Sequence, residues 1–139
     1  MSLEFEVLPK GQHRVVKRTV KFTYTTAKNN TVQMGFEAHF KLLPEDELNK
    51  VMTVEGEADD GPMANSMLLA AMVAKDGHKR LMNEVWVDCE GLVQKNKAGE
   101  KEPLKFSDQV RDGLLQDLAV REAVVAEYFN ALNGRKPKN

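Results

Sequence analysis

The side chains able to do chemistry are few in this sequence, and their spacing does not bring them together. The three histidines, His13, His39 and His78, fall in different predicted elements and share no ligand spacing. His39 sits on the polar face of a predicted strand, where a solvated imidazole is the expectation rather than a metal ligand. Cys89, the single cysteine, follows Trp86 after a predicted helix with no histidine near it in sequence, so it reads as an inert, half-buried thiol. The acids Glu55, Glu57, Asp59 and Asp60 carry the charge to attract calcium. They lack the spacing and the closing bidentate glutamate of a calcium loop. The sequence contains no Gly-x-Gly-x-x-Gly, no phosphate loop ending in Gly-Lys-Ser/Thr, no His-Glu-x-x-His and no Gly-x-Ser-x-Gly. The reading is of a protein that is not an enzyme, with no catalytic residue, no cofactor and no metal site.

What remains is binding. Met63, Met67 and Met72 lie on one predicted helix at spacings of four and five. Methionine fills irregular gaps in cores, and it also suits a surface that must accept more than one partner. These three are the candidate client-binding residues. A predicted helix–turn–helix from Ser107 to Leu132 raises a second class, a small DNA-binding regulator. Its last helix offers Arg121 but also Asp117, Glu122 and Glu127, which would repel phosphate. No nucleic-acid partner is expected.

These residues hang on a hairpin and a set of helices. From Val16 to Tyr24, Val16, Val20, Phe22 and Tyr24 share one face while Lys17, Thr19, Lys21 and Thr23 share the other, the period of a half-buried strand. Arg18 interrupts the apolar face, as an edge strand would permit. After the turn Ala27-Lys28-Asn29-Asn30, a second strand from Val32 to Leu42 turns Val32, Met34, Phe36, Ala38, Phe40 and Leu42 one way and Gln33, Gly35, Glu37, His39 and Lys41 the other. A lone hairpin is marginal in water, so helices must cover its apolar face.

The first helix starts at Pro44 with Glu45, Asp46 and Glu47 beside its positive end, and stops near Thr53. A second is expected from Pro62, ended or kinked at Asp76-Gly77, and a third from His78 to about Val87, where Leu81, Met82, Val85 and Trp86 recur at helical spacing. A polar loop, Gln94 to Lys101, leads to an extended entry at Pro103. Ser107 then caps a helix carrying Val110, Leu114 and Leu115. The last helix buries Val120, Ala123, Val124, Tyr128, Ala131 and Leu132, with Gly134 at its C-terminal cap. The fold class is therefore α+β, an N-terminal antiparallel β-hairpin followed by four to five α-helices.

Composition sets the outer bounds. At 139 residues, 42% apolar and 29% charged, the chain has the balance of one globular domain that buries roughly two-thirds of its unfolded surface. The hairpin occupies about 14–43, the helical part about 44–133 and a basic tail 134–139. A net charge of −1 gives no overall field for nucleic acid, although Gly11–Lys28 is basic and Pro44–Asp60 acidic. The lone cysteine fits a reducing cytoplasm, and neither a secretory signal nor an apolar run of the ~20 residues needed to cross a bilayer is present. A soluble cytoplasmic protein without a membrane partner is expected.

The order of these segments resembles the phage tail assembly chaperones. A basic hairpin ends in Phe36-Glu37-Ala38-His39-Phe40-Lys41-Leu42-Leu43-Pro44-Glu45-Asp46-Glu47. Val85-Trp86-Val87-Asp88-Cys89-Glu90-Gly91-Leu92 follows, then a polar loop, then Glu102-Pro103-Leu104-Lys105-Phe106-Ser107. Two helices run through Leu114-Leu115 and Val120-Arg121 to Tyr128-Phe129-Asn130-Ala131-Leu132. The likeness covers roughly Val15 to Leu132; the loop Gln94–Lys101 departs from it, being basic where relatives often carry a short acidic turn. Gly91 and Phe106 match the family's pattern, and with Trp86 they are expected to be structural anchors. The resemblance implies a tail-morphogenesis factor of a long-tailed phage or prophage, acting in the host bacterial cytoplasm and not part of the mature virion. It implies binding to the tape measure protein and recruitment of the major tail protein during tube assembly, and the basic hairpin and acidic segment Pro44–Asp60 are expected to meet between copies in a homo-oligomer. It also implies a longer form made by programmed ribosomal frameshifting, of which this chain would be the shorter.

Overall fold

A computed structural model of the chain describes residues 6–52 and 67–134, with the side chains of all of these except 52 and 67–75. The hairpin forms as the alternation predicts. Strand β1 (Val15–Thr25) pairs antiparallel with β2 (Thr31–Lys41) in an unbroken register from Val15↔Lys41 to Thr25↔Thr31. The turn closes through Thr26 N–H donating to Asn30 O at 2.7 Å, and Asn29 takes the left-handed conformation at φ 62° that asparagine tolerates.

The sheet has a third strand that the hydrophobic spacing did not suggest. Helix α1 (Glu45–Met52) follows the hairpin, and helix α2 (Met67–Val85) runs unbroken through Asp76-Gly77 rather than stopping there. A glycine inside a helix costs only about 1 kcal/mol relative to alanine, and Gly77 is buried. The predicted third helix is therefore the C-terminal part of α2. It ends one residue before Trp86, where strand β3 (Trp86–Glu90) begins and pairs antiparallel with β2, giving the order β1-β2-β3. The partners are Phe40↔Trp86, His39↔Asp88, Ala38↔Cys89 and Glu37↔Glu90, so Val87 stands unpaired as a β-bulge. The bulge turns Trp86 and Cys89 to the same buried side although they are three residues apart, which imitates helical spacing.

The expected polar loop is the tip of a small hairpin, β4 (Val93–Lys95) with β5 (Lys101–Pro103). Helix α3 (Asp108–Leu115) starts at its predicted cap, with Val110 N–H donating to Ser107 Oγ at 3.2 Å. Helix α4 (Leu118–Leu132) is capped by Asp117, whose Oδ1 accepts from Ala119 and Val120 N–H, and it ends at Asn133 with Gly134 just beyond at φ 72°. The described residues thus hold four helices.

The core lies between the inner face of the sheet and α2, α3 and α4. It comprises Val20, Phe36, Ala38, Phe40, Leu81, Met82, Val85, Trp86, Leu115, Val120, Val124 and Tyr128, with Leu43, Cys89 and Val125 at its margin. Helix α4 lies against the edge strand β1. Arg18 Nε donates to Glu127 Oε2 at 2.6 Å across that contact, which is how a charge is accommodated on the apolar face of β1. Tyr128 ties the end of the hairpin down: its hydroxyl donates to Lys41 O at 3.0 Å and accepts from Leu43 N–H at 3.2 Å.

Candidate binding surface

A chain of aromatic rings runs outward from the core along the sheet. Trp86, fully buried, stacks on Phe36 with centroids 5.4 Å apart and planes 11° from parallel. On its other side it meets Phe106 at 5.2 Å. Phe36 contacts Phe22 at 5.7 Å, and Phe22 meets the edge of Tyr24 at 5.4 Å. The Trp86 carbonyl accepts from Arg111 Nη1 at 3.1 Å, which binds the start of α3 to the sheet. Gly91, at φ 91°, turns the chain out of β3 directly beneath Phe36. Trp86 thus joins Phe36 to Phe106, and Gly91 passes beside the Phe36 backbone.

Beyond Phe36 the cover ends. Strand β3 pairs with β2 only over Glu37–Phe40, so among the described residues no strand pairs with the Thr31–Phe36 half of that edge. The inner face there is open too: Val32 is 37% and Met34 50% exposed. The alternation in β2 puts both on the same face as Phe36, yet both stay exposed. Their cross-strand partners are Tyr24 and Phe22, which back them with half-buried aromatic surface. Tyr24 is fixed by its hydroxyl donating to Asp117 Oδ2 at 2.6 Å, and the next residue, Leu118, is 57% exposed. The result is exposed apolar surface at Val32 and Met34 beside half-buried Phe22 and Tyr24, with exposed Leu118 following the residue that holds the Tyr24 hydroxyl, along an edge of β2 that has no strand partner among the described residues. The sequence carried no signal for it, since periodicity assigns a face and not whether that face is covered.

The tether has an electrostatic signature. The hydrogen bond to Asp117, reinforced by partial burial and the carboxylate's charge, pushes the Tyr24 phenol up to about 12. The same bond, with help from the Ala119 and Val120 N–H groups, holds the Asp117 carboxyl below the usual carboxylate range.

No family model matches the chain, and no curated protein or solved structure does either.

The residues chosen from sequence divide. Met67 opens α2 and Met72 lies within its first half, where side chains are not described; Met63 lies outside the described residues. Cys89 is buried at the core margin, and burial, with Asp88 next to it, pushes its thiol up to about 12, which leaves it a poor nucleophile. His13 pairs with Glu47 at 3.1 Å, and His39 with Glu90 at 2.8 Å. The burial of α4 matters for the helix–turn–helix: Val120, Val124, Glu127 and Tyr128 are spent on the sheet and core. No helix among the described residues is long and apolar enough to cross a membrane.

Proposed function

We propose that this protein performs no chemistry and works by binding other proteins, as a phage tail assembly chaperone that holds the tape measure protein and helps recruit the major tail protein. The observation that carries the reading is the exposed apolar surface of Val32 and Met34 on the open edge of β2, with exposed Leu118 at the start of α4. Isolated surface hydrophobes are ordinary, but a cluster beside unpaired strand backbone is the form a protein-docking site takes. Methionine at its centre suits a client whose sequence varies along its length. The segment order from Val15 to Leu132, described above as resembling these chaperones, supplies the identity of the client. The site of action would be the host bacterial cytoplasm, and the protein would not enter the mature virion.

The test is co-expression with the tape measure protein of the same phage. That protein alone should be insoluble, and with this chain it should be recovered in a soluble complex. Met34→Glu and Leu118→Glu should abolish recovery at little cost to the melting temperature, since each side chain is already half exposed. If only Met67→Glu and Met72→Glu abolish it, the client lies on α2 instead. Failure of the wild-type chain to rescue would overturn the reading. A DNA-binding regulator has no specific observation in its favour, because α4 spends its apolar face on β1 and presents Asp117 and Glu122 near its N-terminus.

A further inference from the structure

The other face of the sheet carries a cluster that the function proposed above does not use. The antiparallel register sets Glu37 directly opposite Glu90, and His39 directly opposite Asp88. Glu37 and His39 are two residues apart on one strand and so point to the same side. One ligand atom each from Glu37, His39 and Glu90 lies within 4.8 Å of the others.

Two carboxylates facing each other across neighbouring strands repel, and sheets ordinarily place opposite charges or small polar residues there. The compensation present is lopsided. Glu90 receives both partners, His39 Nε2 at 2.8 Å and Lys17 Nζ at 3.5 Å, and they hold its carboxyl below the usual range. Glu37 forms no ion pair among the described residues. Glu37 thus faces Glu90 with no ion pair of its own among the described residues, at the point where the imidazole also stands. The imidazole is held in place: its side chain is 15% exposed, flanked across the strands by Lys17 and Asp88.

We propose that Glu37, His39 and Glu90 form a binding site for a divalent transition-metal ion, zinc being the one the ligand set favours. An imidazole nitrogen with two carboxylate oxygens suits zinc better than calcium or magnesium, which prefer oxygen alone. Zinc–ligand bonds of about 2.0–2.2 Å place donors roughly 3–4 Å apart around one ion. The three atoms already lie near that spacing, so turning the long glutamate side chains closes the site without moving the strands. Three protein ligands leave a position open to water. Lys17 is the competitor, because its ammonium occupies Glu90 where the ion would sit. The site rests on strand geometry alone and stands or falls separately from the chaperone reading.

The experiment is calorimetric titration of the full chain with zinc chloride in a non-chelating buffer, with magnesium and calcium chlorides in parallel. One zinc per chain is expected, with no comparable binding of the other two ions. His39→Ala and Glu90→Gln should each weaken zinc binding at least tenfold. Their melting temperatures in chelator should match that of the wild type. In NMR spectra, the His39 ring signals should shift with the first equivalent of zinc while those of His13 and His78 do not. Absence of saturable zinc binding would overturn the proposal. So would binding that Glu90→Gln, a change at an exposed side chain, leaves unaltered, for the ion would then sit elsewhere.

Discussion

Two residues decide whether the hairpin closes and packs on its helices. Trp86 is wedged between the Phe36 and Phe106 rings with no exposed surface, so truncation leaves a cavity that neither ring can fill. Trp86→Ala should cost about 3–5 kcal/mol, read as a fall in the denaturant midpoint; an unchanged midpoint would contradict the packing. Gly35 is the second. A Cβ built on it would lie 2.5 Å from Val20 O on the neighbouring strand, closer than any unstrained contact, and the obstacle is backbone rather than a movable side chain. Gly35→Ala should therefore destabilise the hairpin, against the usual gain from replacing glycine in a strand. A variant as stable as the wild type would show that β1 and β2 can part there at no cost. Nothing in the alternation marks Gly35 as special, because in sequence it is only one more residue on the polar face.

Among the elements, α4 depends on its cap and the cap on the hairpin. Asp117 satisfies the first N–H groups of α4 and receives the Tyr24 hydroxyl, so one carboxylate fixes the helix start and its position on β1. Replacing such a cap by alanine costs about 1 kcal/mol. The pH dependence follows from the two shifts. Asp117 is lowered in the folded state, so its contribution is present above the ordinary carboxylate pKa of about 4 and is lost as pH falls through the lower folded value. Tyr24 is raised, so its contribution is present below about pH 10. It is lost as pH rises toward the folded value of about 12. In a spectrophotometric titration, Asp117→Asn should bring the ionisation of one tyrosine down toward its ordinary range. An unchanged titration curve would show that the bond does not persist in solution.

At the scale of the whole molecule, the sheet ends in unfinished edges. Strand β1 is an edge strand, and β2 is paired with β3 over only part of its length. The hairpin is basic, with Lys17 and Lys21 on its solvent face, while α1 opens with Glu45, Asp46 and Glu47. Contact between the hairpin of one copy and the acidic segment of another would join opposite charges beside an open edge. Self-association at low salt, weakened at high salt as screening shortens the reach of charge, is the expected result of sedimentation experiments. A monomer at all concentrations in both conditions would refute it.

The sequence by itself determined what short-range chemistry can encode. Alternation with a period of two fixed both strands of the hairpin to within a residue or so. Ser107 marked the start of α3, and the run of apolar residues after Asp117 marked α4. The tertiary structure decided the rest, because each remaining feature depends on partners distant in the chain. Leu81, Met82, Val85 and Trp86 recur at helical spacing, which suggests helix at Trp86 where pairing to β2 makes strand. Glu127 is buried because Arg18 waits for it across the contact between α4 and β1. Val32 and Met34 share the face of Phe36 yet stay exposed, because alternation assigns a face and does not record what covers it. Glu37 faces Glu90 because two strands far apart in sequence came into register. A residue's type constrains its own turn of chain, whereas what stands opposite it is settled only when the chain folds.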